Sequence, residues 1–242
     1  MTDGASYITR TREILNALSP GQQPVTITVP LQADESEWFA KAVDDHVIAF
    51  QTCDPACPRL KRYGVPGPDE FVVGPRQFRH LFSAPRTDGQ WLNREYIPHL
   101  AAYAMAVRKF RYEPARAALS KYRKFQRDRI SKRAGVGYET DGEFYDLDGR
   151  IYLHLEVKTK PAEVEAIARQ LDSAGSLMEL PANTRKEIEY VLELAPLYFW
   201  LVGPGTIDPP RHVFQVTTDG HSAMFDRVPH LPAPPQPRAS NA

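Results

Sequence analysis

An α/β (α+β) architecture, a mixed sheet flanked by helices with an N-terminal α/β extension, is what these 242 residues predict. Three observations point there. Residues 138–158 hold two alternating, strand-like runs joined at Asp148-Gly149, a pair that favours the positive φ of tight hairpin turns. Residues 162–174 and 185–195 repeat apolar side chains at i, i+3, i+4 and i+7, the period of a helix with one buried face. Leu197 to Val202 is apolar throughout, as a strand covered on both faces would be.

The composition bounds the rest. With 42% hydrophobic and 25% charged residues, the chain has ample material for a packed core. Thirty Lys and Arg balance thirty Asp and Glu, so total charge alone does not mark a nucleic-acid binder. Collagen-like, coiled-coil and disulfide-scaffold classes are excluded by composition. The run 197–202, like every other apolar stretch, is far too short to span a bilayer. Asp3 and the absence of an early apolar stretch argue against a secretory signal. The expectation is a cytoplasmic protein with reduced thiols and no membrane partner.

In chain order, 8–18 has helical spacing at Ile14, Leu15 and Leu18, and 25–29 alternates like a strand. Helical character at 38–43 is followed by an extended run at 46–52 and a breaker-rich loop from Cys53 to Pro75. Helices are expected at 97–110 and 114–131, with Pro114 in the first turn of the second, where a missing N–H costs nothing. Strands, the helix 162–174, and a helix at 185–195 opened by a Thr184-x-x-Glu187 capping box come next. The strand 197–202 and an outer strand at 212–217 complete the set. The chain therefore divides into an N-terminal region of unassigned role (1–95), a core (96–220) and a Pro-rich, disordered tail (221–242), with five prolines from Pro229 onward.

Charge is unevenly spread. From 108 to 133 there are eleven Lys/Arg and two acids, a net +9; from 135 to 195 there are thirteen acids and six bases, a net −7. A basic block before an acidic one makes a candidate phosphate-binding face beside a candidate metal site. Lys121, Arg123, Lys124 and Arg127 are the proposed nucleic-acid contacts. The alternative is a solvated helix face that happens to be rich in Lys and Arg.

The hairpin carries the chemistry. A two-residue turn at Asp148-Gly149 places residues whose numbers sum to 297 opposite each other. Asp141 then faces Glu156, Glu139 faces Lys158, Glu143 faces His154 and Tyr145 meets Tyr152. Ile151, Leu153, Leu155 and Val157 share one face with Phe144 and Gly142. Tyr152, His154, Glu156 and Lys158 share the other with Glu139, Asp141 and Glu143. Two opposed carboxylates repel unless a proton or a cation sits between them, and a hard divalent ion with oxygen ligands is the natural occupant. Ordinary cross-strand pairs on a wet sheet face are the other reading, and a one-residue bulge would break the register.

Asp141-Gly142, the Asp-Gly turn and Ile151-Tyr-Leu-His-Leu-Glu156-Val-Lys158 together resemble the core of the PD-(D/E)XK, or restriction-endonuclease-like, nuclease superfamily. That superfamily places an Asp on one strand and Glu-x-Lys on the next, followed by a helix and a further strand. The resemblance covers roughly 114–202. Thr140 stands where a proline often precedes the Asp, and only 135–137 is left for the strand expected before it. The resemblance implies a metal-dependent endo- or exodeoxyribonuclease. Asp141 and Glu156, with the carbonyl of Val157, would hold Mg²⁺ (or Mn²⁺). The ion would polarise the scissile phosphate and lower the pKa of a bound water, and Lys158 would orient that water or stabilise developing charge. Accessory candidates are Glu113 or Glu95 as a glutamate from the leading helix, Glu139 and His154 on the polar face, and Gln170 on the following helix, without its tyrosine at the usual spacing. DNA is the implied partner, and protein partners or self-association are left open. A non-catalytic nucleic-acid- or protein-binding module on the same fold is the alternative. Cys53 and Cys57 read as ordinary thiols, since a closed zinc site needs four ligands.

Overall fold

The computed structural model describes residues 4–19, 24–50, 58–61, 70–72, 81–82, 90–125, 135 and 137–235. Cys53, Cys57 and Arg127 lie outside the described residues. Three helices come first: α1 (Gly4–Leu18), α2 (Ala33–Asp44) and α3 (Tyr96–Arg108). Between them lie five short strands: β1 (Val25–Thr26), β2 (Ile48–Phe50), β3 (Pro58–Lys61), β4 (Glu70–Val72) and β5 (Gln90–Trp91). β1 and β5 pair in parallel, and β2, β3 and β4 make a small antiparallel sheet. The segment 53–75, expected to be irregular throughout, thus contributes two strands.

The main sheet has six strands: β6 (Ala117–Lys124), β7 (Gly137–Tyr145), β8 (Ile151–Val157), β9 (Tyr198–Val202), β10 (Val213–Thr218) and β11 (Ala223–Val228). Their order is β11-β10-β9-β8-β7-β6. Neighbours are antiparallel except β8 and β9. That parallel pair needs a crossover, which α4 (Pro161–Ser173), α5 (Ala182–Ile188) and α6 (Val191–Leu194) supply. The fold is therefore mixed α/β, with helices flanking a mixed sheet.

Three expectations are corrected. Of the basic helix expected at 114–131, residues 114–124 form a single 3-10 turn, Pro114–Arg116, followed by the edge strand β6, and 126–131 lie outside the described residues. Ala, Lys and Arg favour helix locally, but pairing of Leu119 with Gly142 and of Arg123 with Tyr138 decides the outcome, because tertiary pairing overrides weak propensity. The tail expected to be disordered from 221 instead begins with β11. Residues 229–235 then lie against the body: Tyr112 and Tyr152 donate their hydroxyls to the carbonyls of Pro232 and Ala233, both at 2.8 Å. Residues 236–242 lie outside the described residues. Finally, α5 begins two residues before Thr184, whose hydroxyl binds Gln170 instead of capping the helix.

Two apolar clusters sandwich the sheet. On one face Leu153, Leu155, Val157, Trp200 and Val202 pack with α1, α2 and α3 through residues such as Leu15, Phe39 and Tyr103. On the other, Phe199, Leu201 and Phe214 pack with Val164, Ile167 and Leu171 of α4 and with Ile188 and Val191. Residues on both sides of position 95 share the first cluster, so the N-terminal helices build the same core as the sheet. Among the described residues no helix is long and apolar enough to cross a membrane.

Candidate functional site

The hairpin β7–β8 turns one residue earlier than expected. The N–H of Gly149 donates to the carbonyl of Asp146 (3.2 Å), and Gly149 has φ +76°. The Asp146 carboxylate accepts the N–H groups of Asp148 (2.9 Å) and Arg150 (2.8 Å). This is a three-residue turn with glycine in the left-handed position, not a two-residue type I′ turn. Tyr145 consequently pairs with Ile151 rather than Tyr152. A bulge at that point then restores the expected register, with Phe144 opposite Leu153, Glu143 opposite His154 and Gly142 opposite Leu155. Gly142 packs tightly here: a Cβ would sit 3.0 Å from Cβ of Leu155 and 3.2 Å from Cδ2 of Leu119, so either neighbour would have to give.

The paired ladder stops at Gly142–Leu155, so the strands diverge where Asp141 and Glu156 follow. Asp141 reaches across and accepts the Val157 N–H through Oδ2 at 2.6 Å. Glu156 is held at both oxygens. Lys158 Nζ lies 3.0 Å from Oε1, and the Tyr190 hydroxyl donates to Oε2. Lys158 Nζ also lies 3.0 Å from Oε2 of Glu187 on α5. The Lys158 backbone is fixed in turn, donating to the Val202 carbonyl at 2.9 Å.

These groups line a cleft of about 510 Å³. Asp141, Glu139, Glu156, Val157 and Lys158 are all in it, as the sequence led one to expect. Glu95, immediately before α3, joins them. The other accessory candidates do not line it. Glu113 is exposed and pairs with Arg116 at 2.7 Å, Gln170 accepts the Thr184 hydroxyl, and His154 is fully buried behind Tyr190. The polar face of the hairpin is therefore not wet: α4 to α6 cover it.

The basic residues separate. In a strand, neighbouring side chains leave on opposite faces, so Arg123 and Lys124 do not share a helical stripe. Arg123 grips the buried Glu143 with two bonds, Nε to Oε1 at 2.9 Å and Nη2 to Oε2 at 2.7 Å. Lys124 is exposed. Lys121 is placed on β6 by its backbone.

Sequence reasoning missed Tyr190, Lys186, Glu187 and His99. Tyr190 falls between α5 and α6, where the chain breaks a helix that periodicity ran on unbroken to 195. Lys186 and Glu187 lie off the apolar face used to recognise that helix. His99 sits fully buried among the apolar residues of α3 near Asp141, and burial pushes its imidazole down to about 4, so it is neutral.

The cleft is strongly acidic. Glu95, Glu139, Asp141, Glu156 and Glu187 are five carboxylates against two ammonium groups, Lys158 and Lys186. Burial, then the charges of Glu156 and Glu95, drive Asp141 well above the usual carboxylate range. Burial and Glu156 also raise Glu95. Burial opposes the charge on Glu156 too, but Lys158, His154 and Tyr190 outweigh it and hold that carboxyl down at about 2. Lys158 is raised: burial works against its charge, and Glu156 and Glu187 overcome it.

Among the described residues no three His, Cys, Asp or Glu side chains are already gathered into a metal-holding group. The donor types nonetheless fit a hard divalent ion, which takes carboxylate and carbonyl oxygens. Glu95, Asp141, Glu156 and the Val157 carbonyl supply them, and Asp141 and Glu95 are raised first by burial and then by the neighbouring carboxylates. No family model, no curated protein and no solved structure matches the chain.

Proposed function

We propose that this chain is a metal-dependent deoxyribonuclease of the PD-(D/E)XK type, hydrolysing DNA phosphodiester bonds in the acidic cleft. One observation carries the reading: Asp141 from β7 and Glu156 and Lys158 from β8 line a single cleft. The order of elements supports it. α3, the antiparallel β6–β7–β8, the crossover α4 and the parallel β9 are compatible with the helix, three strands, helix and strand that the resemblance implies. In that reading β6 would serve as the strand expected before the Asp strand.

Asp141, Glu156, Glu95 and the Val157 carbonyl are the groups that would hold Mg²⁺ or Mn²⁺. When bound, the ion supplies Lewis-acid stabilisation of charge at the scissile phosphate. The chain's own groups do the rest. The Val157 N–H fixes the Asp141 carboxylate against the end of β8. Lys158, charged and at the cleft wall, is the cation that stabilises developing negative charge or orients the attacking water. Exposed Lys124 at the sheet edge, with the basic segment that follows it in sequence, is where backbone phosphates would be tracked without reading bases.

The non-catalytic binding module is the second reading. It is favoured by the resting arrangement, in which Lys158 already pairs with Glu156. Cleavage of mixed single- and double-stranded DNA with and without Mg²⁺ separates the two. A nuclease cleaves only with the ion, and Asp141→Asn, Glu156→Gln and Lys158→Ala each abolish cleavage while DNA binding persists. Folded wild-type protein that binds DNA and cleaves none of it with any divalent ion would establish the module instead.

A further inference from the structure

Tyr190 is fully built into the site, yet neither the hairpin pattern nor the Asp/Glu-x-Lys spacing includes it. Its hydroxyl has one proton and gives it to Glu156 Oε2. His154 Nε2 lies 3.0 Å from the Tyr190 hydroxyl oxygen. With the phenol proton committed to Glu156, the imidazole is the donor in that contact, from Nε2. The one phenol oxygen thus links a cleft carboxylate to a histidine that is completely buried.

The ring itself is pinned from two sides. Tyr138 stacks on it with centroids 5.5 Å apart and planes at 13°. His154 meets it at 5.1 Å and 67°. The column continues outward to Phe125, 4.5 Å from Tyr138, and inward to Phe199, 5.7 Å from His154. Tyr190 cannot swing without disturbing aromatic contacts on both sides.

The two oxygens of Glu156 are therefore unequal. Oε2 is tied to a rigid, buried phenol. Oε1 is held by Lys158, a flexible ammonium shared with the half-exposed Glu187. A cation approaching Glu156 meets a carboxylate whose orientation is set in advance and whose exchangeable oxygen is Oε1.

We propose that Tyr190, braced by His154 and Tyr138, is the positioning residue of the site, orienting Glu156 toward the divalent ion. This rests on the nuclease reading above. Groups that orient a metal-binding carboxylate typically contribute about 10- to 100-fold in metal affinity or activity.

Tyr190→Phe removes one oxygen and keeps the ring. Its midpoint for thermal stabilisation by Mn²⁺ should move to about tenfold higher concentration, with kcat for DNA cleavage lowered and the KM for DNA unchanged. Tyr138→Leu keeps the hydroxyl and removes the stacking partner, so it should shift the Mn²⁺ midpoint in the same direction by less, and it provides the test if Tyr190→Phe does not fold. A purely structural tyrosine would lower the metal-free melting temperature and leave the Mn²⁺ midpoint and the kcat/KM split as in wild type; that result overturns the role while the nuclease reading stands. Wild-type protein that neither responds to Mn²⁺ nor cleaves DNA overturns the nuclease reading, and the role with it.

Discussion

Glu143 and Asp141 lie two residues apart on β7 and end in opposite electrostatic states. Glu143 is fully buried and surrounded by donors: the forked guanidinium of Arg123, the Thr140 hydroxyl at 2.9 Å and the Tyr145 hydroxyl. Burial opposes its charge, but Arg123 and Tyr145 outweigh it and hold the carboxyl below its usual range. Asp141 receives one backbone N–H and faces two other carboxylates, and it is pushed well above its usual range. One strand thus carries a satisfied acid that ties the sheet edge together and an unsatisfied one that faces a cleft. A carboxyl perturbed by burial and charge neighbours in a cleft, as Asp141 is, is a candidate functional group, whereas the paired Glu143 is a structural one.

The largest effect should come from breaking the satisfied partner. Glu143→Ala leaves Arg123 and two hydroxyls without their shared acceptor and should cost about 3 kcal/mol in urea unfolding, near the low end for breaking a buried pair because Arg123 is partly exposed. Asp141→Asn should act in the other direction. It keeps an acceptor for Val157 and removes the repelled charge, so the metal-free melting temperature at neutral pH should rise by roughly 2–4 °C, the scale of a 1 kcal/mol gain in a chain of this size.

The pH dependence sharpens the same contrast. Asp141 holds its proton to higher pH in the folded chain than in the unfolded one, so its contribution to stability falls as pH climbs from about 3.8. Glu143 behaves oppositely: its contribution is complete above 4.5 and is lost as pH falls through its lowered folded value. Melting curves across pH should show the gain from Asp141→Asn vanishing below about 3.8. A gain that persists at acid pH would mean that charge is not its cause.

These two residues also mark what the sequence could and could not reveal. The pairing of Glu143 with His154 follows from alternation and a nearby Asp-Gly, and it survives a misjudged turn because the bulge beside Tyr145 offsets the extra turn residue. The helices α3 and α4 and the strand β9 were legible because each buries a continuous apolar face. Strand β6 was not. Its Ala, Lys and Arg residues carry helical preference, and only the partner strand, unknown from local pattern, makes it extended. Arg123 was read as a DNA contact for the same reason, although it is the clamp on Glu143. Tyr190 was invisible because its importance depends on where a helix breaks.

The smallest expected effect concerns the basic edge. Arg123 is committed to Glu143, so reversing it would test folding rather than binding. Lys124→Glu should weaken DNA binding modestly and lower the slope of log affinity against log salt by about one. An unchanged slope would mark Lys124 as a solvated side chain.

The central claim is that the surplus negative charge around Asp141 is the place of a divalent ion, and a melting-temperature titration tests it most directly. Wild-type protein and Asp141→Asn are followed at neutral pH over increasing Mg²⁺ or Mn²⁺. Wild type should start lower and climb with the logarithm of ion concentration, as expected for a ligand that binds only the folded state, whereas the variant should start higher and stay flat. A wild-type curve that no divalent ion moves, or two curves rising in parallel, would contradict it.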